Sequence, residues 1–377
     1  MFINRLIDIA LTDLQFIFKS KWKVVGLVLF GVIYLICWAG IRKTLYTPLK
    51  SNLLIGERLV GRASLSIDPE ILLLSTYGYD SQFFWALSLD PFLQNSFIKK
   101  SIDSPAYRSQ RILLPFLTWA TIHDPANIIY GLWFWCLVGY GLGFISIIKL
   151  CSHFNISATI PLFMYTFNPG MIISFIHPMS DVLATGLFLF GLTQWVNDKK
   201  WISCLLFILA CLAREYTAVY IFSIAIFIWW TSRSINLKRI IPLAISGVPM
   251  IIWQIYIRWH QGVWASSQLI HGFDWPFLGT IKYLMRNMQG NFMSKDLIGA
   301  ICLHLACILV LLNLNGMKKN LLLFLTIASA GLLTFSGDAI MDSDWAYTRA
   351  SILFITFTSM AFLTQEIKTD SKVGLQS

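Results

Sequence analysis

The sequence predicts an all-α protein, a polytopic bundle of about ten transmembrane helices with a long, helix-containing first external loop. Three observations predict it. Hydrophobic residues make up 56% of the 377 and charged residues only 13%, with a mean hydropathy of +0.66, a balance foreign to a water-soluble domain of this size. Apolar runs with few or no charges recur at about the 20 residues that a helix needs to cross roughly 30 Å of hydrocarbon. Lys and Arg gather in the short segments between alternate runs, as the positive-inside rule requires of cytoplasmic loops.

Taken in order, Lys19, Lys21 and Lys23 put the N-terminus inside, ahead of the first run, Val24 to Ile41. That run is a full span without a small-residue cleavage site, so it reads as a signal anchor. Residues 42–126 are then external, and long translocated segments are exempt from the charge rule. Such a length is too great for a structureless loop, so helices lying along the membrane surface are expected there. One starts at Ser81, with Phe83, Phe84 and Leu87 on one side and Asp80 at its N-cap, and ends near Asp90-Pro91. Ile112 to Ile122 is too short to span and reads as an interfacial or re-entrant helix.

Asp124-Pro125 supplies an N-cap and a first-turn proline for the next span, Asn127 to Ile148. Ile156 to Ile176 and Val182 to Val196 follow, turning outside at His177-Pro178, with Lys149 and Lys199-Lys200 inside. Arg214-Glu215 interrupts the apolar stretch from Trp201 to Trp230. Two short helices meeting outside at that pair keep Arg233, Lys238 and Arg239 inside. Ile240 to Ile257, Leu297 to Leu314, Leu321 to Phe335 and Ala346 to Leu363 complete the bundle, with Lys318-Lys319 inside. The chain thus divides into a cytoplasmic segment 1–23, a transmembrane module 24–257 that includes the external loop 42–126, a C-terminal loop with three helices 258–364, and a cytoplasmic tail 365–377.

The net charge of +10 fits cytoplasmic anchoring to anionic lipid, and no nucleic-acid motif is present. Seven cysteines without CxxC spacing read as small apolar core residues, not as a zinc site or a disulfide framework.

This topology gathers Asp80, Asp90, Asp103, Arg108, Arg111, His177, Asp181, Arg214, Glu215, Asp338, Asp342, Asp344 and Arg349 at the external face. Asp80 is either a helix cap or a carboxylate fixed at the boundary as a general base. The arginines either snorkel to headgroups or hold a phosphate. Arg214-Glu215, ionisable at the ends of apolar helices, needs a partner or a job. His177 and Asp181, four residues apart around Pro178, favour capping and orientation over metal binding. The turn at Asp338, Asp342 and Asp344 is either solvated or a metal or acceptor site. Trp133, Trp135, Trp229 and Trp230 read as interfacial belts, whereas Tyr77, Tyr79 and Tyr107 in the loop could stack on a sugar or line a prenyl groove.

YGYDSQFFWALSLDPF, followed by DSPAYRSQRILLPFLTWA, resembles the first external loop of bacterial GT-C glycosyltransferases. These polytopic enzymes move a sugar from a polyprenyl-phosphate carrier to an acceptor on the external face. HPMSDVLATGLFLFGL and ACLAREYTAVYIF are similar to later helix starts of the family, so the resemblance touches most of the N-terminal part of the chain, up to about residue 230. It implies a GT-C-like bundle in the bacterial inner membrane, with an inverting, hexosyltransferase-like site facing the periplasm or exterior. Asp80 would be the base, and Tyr79, Gln82, Tyr107, Arg108, Arg111, His177, Asp181, Arg214, Glu215 and Arg349 would surround the substrates. The implied partners are a polyprenyl-phosphate sugar donor, membrane lipids and a glycan, lipid or protein acceptor. Ser81 departs from the family's glycine after the aspartate, and the resembling stretches hold no DxD pair. No metal ligand is assigned, and a divalent cation is the one cofactor left open. The rival readings are a transporter or flippase of lipid-linked sugars, expected to show internal repeats and charges near the midplane, and a non-catalytic scaffold of cell-surface polymer assembly.

Overall fold

Inside hydrocarbon the backbone can satisfy its polar groups only within the chain, so long apolar runs fold as helices. The computed structural model is accordingly mostly helical. It describes residues 52–57, 73–74, 78–232, 237–268, 274–287, 295–312, 320–337, 340 and 344–364. The predicted first span, Lys318-Lys319 and the C-terminal tail lie outside the described residues.

A small parallel pairing of β1 (Ile55–Gly56) with β2 (Leu73–Leu74) is extended by a bridge from Ile55 to Gly78. Four short helices follow: α1 (Ser81–Leu89), α2 (Ser96–Lys100), α3 (Pro105–Ser109) and α4 (Leu113–Thr121). The bundle proper comprises α5 (Ile128–His153), α6 (Thr159–Thr166), α7 (Pro169–Ile176), α8 (Ser180–Val196), α9 (Lys200–Ala213), α10 (Thr217–Ser232) and α11 (Leu237–Gln261). After these come α12 (Leu278–Asn287), α13 (Lys295–Leu312), α14 (Leu321–Thr334), α15 (Asp344–Ala350) and α16 (Ile352–Thr364).

Two segments, Pro125–His153 and α11, are long and apolar enough to cross a membrane, and α6 with α7 makes a third if that bent pair is one span. The other apolar helices are shorter. At 1.5 Å per residue α9 extends only about 21 Å, less than a hydrocarbon core, because the chain turns at Arg214. The outer surface suits lipid: α11 buries Pro242, Leu243, Ser246 and Ile257 but exposes Ile251, Ile252, Ile255 and Trp259.

At the centre lies α8, buried on nearly every side from Ser180 to Trp195 and packed between α5 and α9. Its crossing with α5 is made by two glycines. A Cβ on Gly186 would stand 1.9 Å from the Gly139 carbonyl oxygen, so only glycine permits this approach. On the far side α14 and α16 pack together and join the main core to a second buried cluster around Tyr283, Leu303 and Tyr347. All six described cysteines are free and buried, in keeping with a core role.

Several boundaries fall as predicted. Asp124 accepts a hydrogen bond from the Ala126 N–H at the start of α5's leading turn, α4 occupies the short Ile112 to Ile122 run, and α9 and α10 part at Arg214-Glu215. Three do not. Ile156 to Ile176 is two helices bent by 40°, because Pro169 has no N–H to continue α6 while the Asn168 side chain accepts from Gly170 and Met171 to start α7. Ala346 to Leu363 breaks at Ser351, whose hydroxyl donates back to the Thr348 carbonyl. Finally, α1 does not lie along a surface: Ser81 to Ser88 are all buried, and its polar side chains are spent on internal bonds, the Ser88 hydroxyl donating to Phe84.

Candidate functional site

The start of α1, helix α3, the first turn of α8, the break between α9 and α10, and α15 converge on a cavity of about 570 Å³. Its lining carries Asp80, Arg108, Arg111, Asp181, Arg214, Glu215 and Arg349 together with apolar side chains, among them Val219 of α10, Leu332 and Leu333 of α14, and Ile340.

Asp80 is positioned by its neighbours. Gly78 turns the chain at φ +76°, where a Cβ would lie 2.4 Å from the Gly56 nitrogen, so glycine is required. Beyond it the Tyr79 N–H donates to the Leu54 carbonyl, the Ser81 hydroxyl to the Leu53 carbonyl, and Gln82 Oε1 accepts from the Gly56 N–H. These bonds tie the α1 start to the β patch. The predicted capping role is overturned: Asp80 is itself in the helical region and its side chain bonds no backbone N–H of α1. Its carboxylate turns instead to two guanidiniums, Oδ1 accepting from Arg108 Nη1 at 2.8 Å and Oδ2 from Arg349 Nη1 at 3.0 Å. Charge-assisted bonds to arginine outcompete a backbone cap. Burial alone would raise the Asp80 pKa, but Arg108 and Arg349, with Arg111 behind them, outweigh it and hold the carboxyl well below the usual range.

Arg108 is fixed from behind by Asp103, which accepts from its Nε and Nη2 at 3.0 Å each, and its guanidinium lies 4.4 Å from the Phe83 ring centroid. Arg349 depends on the close approach of α7 to α15, where a Cβ on Gly170 would come 2.2 Å from the Thr348 carbonyl oxygen. Its guanidinium stacks 5.2 Å from the Tyr79 ring, donates to Met179 Sδ and stands 4.0 Å from Asp181 Oδ2.

Arg214 and Glu215 do not pair with each other. Arg214 donates from Nε and Nη2 to Asp181 Oδ1 at 2.9 and 2.7 Å, uniting a cation at the end of α9 with an anion in the first turn of α8, both favoured by the helix dipoles. Glu215 accepts a fork from Arg111, at 3.2 Å from Nε and 2.9 Å from Nη2, and Arg111 also donates to the Tyr107 hydroxyl. Burial would raise Glu215, but Arg111 and then Arg214 bring it down to about 2.

Three predicted residues are not among those lining the cavity. Gln82 is spent on Gly56, and Tyr79 is packed beneath Arg349. His177 does not act with Asp181: its Nδ1 lies 2.6 Å from the Asn52 carbonyl, it meets Tyr79 edge to face, and burial lowers it to about 4, leaving a neutral ring. Tyr107, Arg108, Arg111, Asp181, Arg214, Glu215 and Arg349 do come together around Asp80. Asp103, which holds Arg108, reads from the sequence only as one of the external charges, and Gln268, whose Oε1 accepts from the Tyr107 N–H, was not singled out. Asp103 was legible in principle, lying on the external segment just ahead of the helix that carries Arg108. Gln268, more than 150 positions from Tyr107, was not.

Four guanidiniums against three carboxylates leave the lining with one net positive charge. Among the described residues no group of three or more His, Cys, Asp or Glu is placed to hold a metal ion. The cavity's carboxylates face guanidiniums, so these residues do not fit a divalent cation. Asp338 and Asp342 lie outside the described residues and Asp344 opens α15. Asp342-Ser343-Asp344 does have the DxD spacing that the GT-C-like stretches lack. A lining with one net positive charge and apolar side chains, with Asp80 between two of the cations, suits an amphiphilic anion. Compared with known proteins, the chain matches no family model, no curated protein and no solved structure.

Proposed function

We propose that this chain is an integral-membrane glycosyltransferase of GT-C type, with about ten spans in a bacterial inner membrane, moving a sugar from a polyprenyl-phosphate carrier to an acceptor on the external face. The observation that carries this reading is the cavity itself, in which residues the topology assigns to one face meet from five separate stretches of chain and four guanidiniums share one lining with apolar side chains. Lipid phosphates present the matching combination.

In the proposed reaction an acceptor hydroxyl oxygen bonds to the anomeric carbon while its proton passes to an Asp80 carboxylate oxygen. The bond from that carbon to the phosphate oxygen breaks. Its electron pair leaves with the lipid phosphate, whose charge the arginines neutralise, and attack opposite the leaving group inverts the anomeric centre. A carboxylate held as low as Asp80 is a weak base while both arginines face it, and arginines drawn to a phosphate would restore its basicity. The same double pairing favours a second reading, a scaffold that has kept the architecture without the chemistry.

Transfer separates the two. The chain reconstituted in vesicles with a polyprenyl-phosphate sugar, and an envelope extract as source of acceptor, should release lipid phosphate. Asp80→Asn should lower the rate by about 10²–10⁴-fold, the usual contribution of a general base. Retained turnover in a folded Asp80→Asn chain would remove the base, and no turnover in the unmodified chain would leave the scaffold.

A further inference from the structure

We propose that Arg108 and Arg349 form the seat of a phosphate group, and that Asp80 occupies this seat until the phosphate arrives. The proposal rests on the reading above only for the lipid source of that phosphate.

The three carboxylates of the cavity are not held alike. Glu215 and Asp181 each receive two N–H groups from a single arginine. Asp80 instead receives one N–H from each of two arginines, one on each oxygen, and so bridges two cations. A phosphate presents the same pair of anionic oxygens, with more charge to share. The Asp80 side chain is 20% exposed and that of Arg108 17%, so the seat is open to the cavity, whereas Asp181 is closed at 1%.

Each arginine is also held by groups other than Asp80, so the seat survives when Asp80 leaves it. Asp103 takes two N–H groups of Arg108, and the Tyr79 ring and Met179 sulfur back Arg349. Exchange of carboxylate for phosphate therefore breaks two hydrogen bonds and forms two, with little movement of the cations. It also sets an order: the phosphate binds first, and only then does Asp80 have a free oxygen with which to take a proton.

The order implies a sign. Deleting the Asp80 charge should tighten phosphate binding, because a competitor is removed. The full chain in nanodiscs is titrated with a short-chain polyprenyl phosphate and, separately, with inorganic phosphate. Asp80→Asn should bind about tenfold tighter than the unmodified chain, and Arg349→Gln about tenfold weaker. Equal or weaker binding of both phosphates by a folded Asp80→Asn chain overturns the shared seat and leaves the donor reading standing. The expected pattern with inorganic phosphate alone keeps the seat and removes the lipid donor, and binding of neither phosphate removes both. Should Asp80→Asn fail to fold, Arg349→Gln decides by itself, since unchanged phosphate affinity there overturns the seat.

Discussion

Replacing Asp181 by Asn strips the partner from a guanidinium that has little water to fall back on. The Asp181 side chain is 1% exposed and that of Arg214 9%, and the two are joined by two N–H groups donating to one carboxylate oxygen. Removing one member of a buried pair typically costs about 3–5 kcal/mol, most of it the penalty of the orphaned charge. Because the pair borders a cavity that can admit water, the expected loss is at the low end, about 3 kcal/mol. Arg214→Gln should cost a similar amount, since it orphans Asp181 with only Arg349 at 4.0 Å in reserve. The double variant orphans neither charge and should lose less than the sum of the singles by about 1–3 kcal/mol. Denaturant unfolding in detergent, followed by the fluorescence of the chain's 15 tryptophans, measures all four corners of the cycle. A loss below about 1 kcal/mol for Asp181→Asn, or a double variant equal to the sum, would refute the buried-pair account.

Gly170→Ala should push α15 away from α7, because the new methyl would meet the Thr348 carbonyl at 2.2 Å. Overpacking of this kind costs about 1–3 kcal/mol. The same shift displaces Arg349, so phosphate affinity should fall with stability, and unchanged affinity would detach Arg349 from that helix contact. Acid should loosen the protein in two stages, since both groups have folded values below their ordinary ones and the unfolded chain takes up protons that the folded chain refuses. His177, near 4 against an ordinary 6.5, contributes stability above pH 6.5 that is lost as pH falls toward 4, and Glu215, near 2 against 4.5, contributes stability lost between those values. His177→Asn should flatten the upper stage of the stability profile and leave the lower one. An unchanged profile would contradict the assignment.

Where the chain's own neighbours decide the outcome, the sequence was legible. Arg214-Glu215 interrupts an apolar stretch, and the helices part there; Asp124-Pro125 marks a helix start, and one begins there. The break at Asn168-Pro169 carries the same cap-and-proline signal, but hydropathy over a spanning window does not register a missing N–H, so one span was expected where two helices stand. Asp80 failed for the opposite reason. Its local pattern calls for a cap, and only tertiary structure brings Arg349, 269 positions away, to claim the carboxylate. Which cation meets which anion is fixed by packing such as that of Gly170 against α15, and no spacing rule encodes it. That Asp80, Arg108, Arg111, Asp181, Arg214, Glu215 and Arg349 would gather was nonetheless readable from the alternation of basic loops.

The proposal that this cavity receives a lipid phosphate is tested most directly by photo-cross-linking. A polyprenyl phosphate carrying a photoreactive group near the phosphate is irradiated with the reconstituted chain, and the adducts are mapped by mass spectrometry. The account predicts adducts on the cavity's own residues, among them Tyr107, Arg111, Val219, Leu332, Leu333 and Ser336, suppressed by excess unlabelled polyprenyl phosphate and lost in Arg349→Gln. Adducts spread over the outward apolar face of α11, around Ile251 to Trp259, and indifferent to competitor would contradict it.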